Sequence, residues 1–247
     1  MFFENKELNR NIPVPLYYQL KQLLLHEINV GNLKEHDCLP TEIELSSRFN
    51  ISRPTVRQAI YELVNEGYLS RLKGKGTFVT KPKINQEIVH VIENFNEGMI
   101  RKGIQPKTTV LDLKVIEADD ELTQALELEP GDKVIELSRL RYANDEPIVL
   151  VTTYIPYALC PEILQVNLKE ESMYQTFEKY NLYIKKVRRV FEAQKVTKPD
   201  AQLLEVEEGD PLMYFETKAY LENGRIIEYS KCRYRGDRNT FVVELNK

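Results

Sequence analysis

The sequence predicts an α+β protein in two parts: a mostly helical region at 1–80, a linker at 81–87, and a larger domain at 88–247 built on a mostly antiparallel sheet. Three observations predict it. Three amphipathic stretches, two of them with N-cap residues, and a glycine hairpin crowd into the first eighty residues. A pattern of short helix, Gly-Asp turn and two strands occurs twice, at 120–150 and at 200–230. Charge is divided: residues 1–83 hold 12 Lys+Arg against 9 Asp+Glu (+3), and the remainder hold 22 against 29 (−7), within a net charge of −4. Such asymmetry points to one part that meets a polyanion and another with a different task.

In "PLYYQLKQLLLHEINVG" (15–31), Leu16, Leu20, Leu23, Leu24 and Ile28 recur at helical spacing; Pro15 suits a first turn and Gly31 a stop. In "LPTEIELSSRFN", Thr41 is the expected N-cap, Glu42 and Glu44 favour the positive end of the helix, and Asn50 closes it. A third helix starts at the N-cap Ser52, with Pro54 in its first turn. Its apolar stripe is Val56, Ile60, Leu63 and Val64, and Gly67 ends it. "YLSRLKGKGTFVT" then reads as strand, glycine turn, strand. Three helices, a three- to four-residue turn between the last two, and a hairpin describe a winged helix-turn-helix.

That arrangement accounts for the basic stretch from Ile51 to Lys83. Residues at the start of a recognition helix face the major groove. Arg53 and Arg57, at i and i+4, share one face, and either can grip guanine O6 and N7 bidentately. Ser52 and Thr55 can hydrogen-bond phosphates or base edges. Lys73 and Lys75 supply charge without sequence information, and Gly74 and Gly76 let the wing backbone approach a groove. With Thr41, Glu42 and Arg48 from the preceding helix, the candidate DNA-facing set is Thr41, Glu42, Arg48, Ser52, Arg53, Thr55, Arg57, Lys73, Lys75 and Gly76. Each feature alone reads equally as a cap, a solvated face or a hairpin; their conjunction favours DNA.

"LPTEIELSSRFNISRPTVRQAIYELVNEGYLSRLKGKGTFV" resembles the DNA-binding domain of GntR-type bacterial transcription factors, over nearly all of 13–80. "FNEGMIRKG", "RLRYANDEPI" and "YRGDRNTF" resemble the HutC subfamily, and within it regulators of N-acetylglucosamine use. The resemblance implies a chorismate-lyase-like effector domain called UTRA, a homodimer, a two-fold double-stranded operator, and release of that operator by a small effector such as an amino-sugar 6-phosphate. It puts DNA contacts on Arg53, Thr55, Arg57 and Gly76. It puts phosphate contacts on Arg139, Arg141, Ser172 and the segment Asn94, Phe95, Asn96, and sugar-side contacts on Glu228 and Tyr234. Two departures stand out. Ile43 replaces an arginine that reads a base in many members, and Val151 replaces a glutamate near the sugar.

The residues support part of this independently. Arg139 and Arg141, at i and i+2 on an expected strand, point to one face and repel unless an anion lies near. They read equally as exposed residues paired to Glu136 or Glu216. Ser172 is first of all an N-cap, Phe95 and Tyr234 suit a core, Asn94 and Asn96 suit a loop, Glu228 an exposed strand, and "YRGDR" a turn with an Arg-Asp pair.

Other classes find little footing. No apolar run approaches the ~20 residues needed to span a bilayer. The N-terminus lacks a basic and then apolar leader, so no signal peptide is expected. Three separated cysteines and three separated histidines give neither a disulfide framework nor a metal set, so a reducing cytoplasm and no cofactor are expected. G-x-S-x-G, P-loop and H-E-x-x-H motifs are absent. A regulator rather than an enzyme is expected; retained lyase activity, or DNA binding without any ligand, are the alternatives.

Overall fold

The computed structural model describes residue 3 and residues 6–86 and 95–243. The chain forms two compact units, Met1–Lys83 and Ile84–Lys247.

The first unit holds α1 (Leu16–Asn29), α2 (Glu42–Phe49), α3 (Arg53–Asn65), β1 (Leu69–Leu72) and β2 (Gly76–Val79). Its caps are the expected ones. Thr41 forms a reciprocal capping box with Glu44, and Ser52 accepts the Thr55 amide. Asn50 closes α2 in the left-handed region, at φ 49°. The strands pair antiparallel from Leu69↔Val79 to Leu72↔Gly76. Leu20 and Leu24 of α1, Leu45 of α2, Val56, Ile60 and Leu63 of α3, and Leu69 and Val79 of the hairpin close one core. Burying each such side chain contributes roughly 1.5–3 kcal/mol. That core fixes α3 with its first turn outward.

The second unit runs β3 (Ile84–Gln86), α4 (Phe95–Arg101), β4 (Pro106–Glu117), α5 (Asp120–Leu126), β5 (Lys133–Ala143), β6 (Glu146–Pro156), a 3-10 turn at Pro161–Gln165, α6 (Met173–Lys179), β7 (Ile184–Lys195), α7 (Lys198–Leu204), β8 (Pro211–Leu221), β9 (Ile226–Arg235) and β10 (Asn239–Phe241). Part of the stretch expected as linker is therefore strand: β3 pairs parallel with β10, Ile84 opposite Asn239.

The six long strands form one sheet in the order β4-β5-β6-β9-β8-β7, and every recorded neighbour pair is antiparallel. That order is the internal repeat made physical: β4, α5, β5, β6 answer β7, α7, β8, β9 about the β6–β9 seam. Glu127 and Glu205 close α5 and α7 at φ 54° and 55°, and Gly131 and Gly209 turn at φ 90° and 91°. Asp132 and Asp210 each accept the amide three residues earlier, at 3.0 Å.

The two faces of the sheet differ. Helices α5 and α7 cover one, against Val134, Ile226 and Tyr229 and against Leu140, Leu150 and Leu212. On the other face lie two apolar clusters. One gathers Ile135, Leu137, Ile163, Met173 and Phe177; the other gathers Met99, Val151, Phe215 and Tyr234. A cavity opens between them.

Candidate functional site

The start of α3 displays Ser52, Arg53, Thr55 and Arg57 as expected. The Ser52 and Thr55 hydroxyls lie 2.7 Å apart, and Ser52 Oγ accepts the Thr55 amide at 3.3 Å. Arg53 is exposed and has no ion-pair partner among the described residues. Arg57 is different. Its Nε and Nη2 donate to Glu42 Oε2 at 3.2 and 3.0 Å, while Arg71 Nη2 donates to Glu42 Oε1 at 3.0 Å. Hydrogen bonding from Arg57 holds the Glu42 carboxyl below its ordinary pKa, and Glu42 raises that of Arg57 in turn. One carboxylate thus ties the recognition helix to the wing strand.

Three of the candidate DNA-facing residues have internal occupations. The Thr41 hydroxyl donates to Glu44 at 2.8 Å and accepts its amide at 3.2 Å, so it is taken up by its cap. Glu42 is an acceptor only, and acts through its arginines rather than on phosphate. Arg48 Nη2 donates to the Phe3 and Lys6 carbonyls at 2.6 and 3.1 Å, which turns it to the N-terminal segment. On the wing, Lys73 and Lys75 are exposed. Gly74 sits at φ 75° and Gly76 at φ 131°, where a Cβ would also meet Cys38 Sγ at 3.1 Å. Ile43 is exposed beside this face.

The second unit brings its candidates together. Phe95, Asn96, Arg139, Arg141, Ser172, Glu228 and Tyr234 all line the cavity, of about 130 Å³, on the open face of the sheet. Asn94 lies outside the described residues. Arg139 is 3% exposed. Its Nε has no partner, and Nη2 reaches only Thr153 Oγ1 at 3.5 Å and Met173 Sδ at 3.8 Å. Burial, and then the neighbouring Arg141, push its pKa down to about 9. Arg141 lies over the Phe95 ring at 4.7 Å, its buried Nε is also unpartnered, and burial lowers its pKa. The pairing with Glu136 or Glu216 does not form. Those carboxylates lie at alternate strand positions, where Glu136 accepts Lys114 and Glu216 accepts Tyr214.

Glu228 is buried rather than exposed. It accepts the Tyr174 hydroxyl at 2.7 Å and the Ser230 hydroxyl; Ser230 in turn meets Thr153 at 2.8 Å, beneath Arg139. Burial and Glu228 push Tyr174 well above the ordinary tyrosine range. Cys232 shares the cavity, its thiol pushed up to about 11 by burial. Tyr234 is both cavity wall and core, packed on Phe215 and Phe241. Ser172 caps α6, accepting the Gln175 amide at 3.4 Å, and also lines the cavity. The Arg-Asp pair of "YRGDR" forms, Arg235 to Asp237 at 2.7 Å.

Sequence reasoning missed Gln86, Lys102, Tyr174, Arg189 and Thr217, which line the same cavity. For Arg189 a signal existed: Val187, Arg189 and Phe191 alternate along β7, which sets that arginine on an otherwise apolar face.

Comparison with known proteins matches both units. Residues 16–79 match the gntR family of bacterial regulatory proteins, and residues 101–240 match the UTRA domain. The chain is 37% identical to the HTH-type transcriptional repressor NagR of Bacillus subtilis, over 97% of this chain and 98% of that one. It is 33% identical to the mannosyl-D-glycerate transport/metabolism system repressor MngR of Escherichia coli, over 93% and 95%. The crystal structure of PhnF from Mycobacterium smegmatis superposes with a TM-score of 0.74 at 24% identity, over 93% and 98%, and shows the same fold. No described helix is long and apolar enough to cross a membrane. The chain belongs to the GntR family, HutC subfamily: it is a transcriptional regulator, not an enzyme, with a winged helix-turn-helix joined to a UTRA domain.

Proposed function

We propose that this regulator is a cytoplasmic homodimeric repressor that leaves a two-fold DNA operator when its UTRA cavity takes up a phosphorylated sugar, with amino-sugar 6-phosphates as the leading class. One observation carries the reading: two adjacent guanidiniums, that of buried Arg139 and that of half-buried Arg141, each keep a buried, unpartnered Nε and have no carboxylate in ion-pair reach among the described residues. A buried like-charged pair is costly unless an anion compensates it. A phosphate does so with charge-assisted, bidentate bonds. Ser172 and Asn96, on the same cavity, complete the phosphate's shell. Glu228, Tyr174 and Tyr234 offer polar groups to sugar hydroxyls, while Val151 offers none.

Release follows from differential affinity. The ligand favours a dimer geometry in which the two DNA-binding units no longer fit both half-sites. The repressors among the relatives support this sign. Calorimetric titration of the full chain with glucosamine 6-phosphate, N-acetylglucosamine 6-phosphate and their unphosphorylated sugars tests it. The phosphorylated forms should bind at micromolar concentration and the free sugars should not. Equal binding of both forms would remove the phosphate from the account.

A further inference from the structure

The cavity's third arginine stands apart from the first two. Arg189 is on β7, and three strands, β6, β9 and β8, lie between it and β5. The registers Leu137↔Thr153, Thr153↔Ser230, Thr217↔Ser230 and Arg189↔Thr217 lay out one row across the sheet. The next row runs Arg139, Val151, Cys232, Phe215 and Phe191. Arg139 and Arg189 therefore face the cavity from opposite sides of its floor, on strand backbones four spacings or about 19 Å apart along the sheet. The floor between them is Val151, Cys232 and Phe215, bordered by the hydroxyls of Thr153, Ser230 and Thr217.

The internal repeat sharpens the difference. Arg139 on β5 is paired with Val110 on β4; the matching pair in the second half is Thr217 on β8 with Arg189 on β7. Each half contributes a cationic side chain, from a different strand.

Charge in the cavity is unbalanced. Lys102, Arg139, Arg141 and Arg189 line it against the carboxylates Glu171 and Glu228. Glu171 is held by Lys179 at 2.9 Å, and Glu228 is occupied by the Tyr174 and Ser230 hydroxyls. No carboxylate lies within ion-pair distance of Arg189 among the described residues. A phosphate at Arg139 and Arg141 leaves Arg189 uncompensated.

We infer that Arg189, with the Thr217 hydroxyl beside it, is a second anion subsite, and that the ligand is a phosphorylated sugar derivative carrying a further acidic group, a carboxylate or second phosphate, at its other end. This rests on the reading of Arg139 and Arg141 as the phosphate site. The subsite accounts for how the cavity selects among phosphorylated sugars although Val151 offers no acceptor: it replaces acceptor chemistry at the sugar end with donor chemistry.

Calorimetric titration with matched pairs tests it: 6-phosphogluconate against glucitol 6-phosphate, which differ by one carboxylate, and fructose 1,6-bisphosphate against fructose 6-phosphate, which differ by one phosphate. In at least one pair the doubly acidic compound should bind about tenfold more tightly, the size of one charge-assisted bidentate contact. Arg189→Gln should abolish that preference, weakening the doubly acidic compound about tenfold more than its singly acidic partner, while Arg189→Lys should keep part of it. Equal affinity within both pairs, or a preference that survives Arg189→Gln, overturns the second subsite and leaves the phosphate reading standing. If none of the four compounds binds the native chain, the second subsite falls, and the phosphate reading is decided separately by the amino-sugar 6-phosphates.

Discussion

The two units treat their arginines in opposite ways. On α3, Arg57 is exposed, and Glu42 holds it at 3.0 Å while also holding Arg71. In the sheet cavity, Arg139 is buried with Arg141 as its charged neighbour on β5 and forms no ion pair with a carboxylate among the described residues. The first arrangement raises the guanidinium's pKa, and the second lowers it. A half-buried carboxylate clamping two exposed arginines contributes little stability but fixes direction, which suits a side chain that must meet a base edge. A buried uncompensated charge opposes folding, so its presence marks a place where a ligand supplies the missing charge.

The largest expected effect follows from the buried side. Arg139→Met should cut affinity for a phosphorylated sugar by about 10²-fold or more, as loss of a buried charge partner does. The same change should raise the ligand-free thermal midpoint of the second unit by a few degrees, since an uncompensated charge has gone. Calorimetry on one preparation reads both, and a fall in both would class Arg139 as structural.

Next is the exposed side. Arg57→Ala should weaken operator binding about ten- to a hundredfold, with little change on scrambled DNA, as measured by fluorescence anisotropy at fixed salt. Smaller, and opposite to simple charge counting, is Glu42→Gln. It removes a negative charge from a DNA-facing surface, so binding to scrambled DNA should strengthen. Operator binding should nevertheless weaken about threefold, because Arg57 and Arg71 lose their common anchor. Parallel strengthening on both DNAs would show that Glu42 positions nothing. The smallest effect is Thr41→Ala, which removes the α2 cap and should destabilise the first unit by about 1 kcal/mol in chemical denaturation.

The two units also differed in how far the sequence revealed them. Thr41, Asn50, Ser52 and Gly67 act within a few residues of themselves, so caps, turn and wing could all be read locally. The repeat disclosed the strand pairs of the second unit, because Gly131-Asp132 and Gly209-Asp210 mark the same turn twice. What stayed hidden depends on contacts distant in sequence. Strand β3 falls within the stretch that the sequence predicts as linker, because its partner, β10, lies at the other end of the domain. The Glu42 clamp joins α2 to α3 and β1 and leaves no spacing signature. Arg139 and Arg141 could be placed on one face by alternation, but only the sheet order shows that face to be enclosed, with Glu136 and Glu216 on the other. Arg189 stands among Lys185, Lys186 and Arg188; alternation with Val187 and Phe191 sets it apart from Lys186 and Arg188, but only the sheet order shows that its face lines the cavity.

The central claim is that the buried arginines of the UTRA cavity sense a phosphorylated ligand and thereby control DNA binding. An electrophoretic shift on the DNA upstream of the protein's own coding sequence tests it most directly. The native chain and Arg139→Met are compared during titration with glucosamine 6-phosphate, N-acetylglucosamine 6-phosphate and the doubly acidic compounds above. The native chain should leave the DNA at micromolar concentration of at least one compound, while the variant stays bound throughout. Release of both proteins at the same concentration, or of neither by any phosphorylated compound, would contradict the claim.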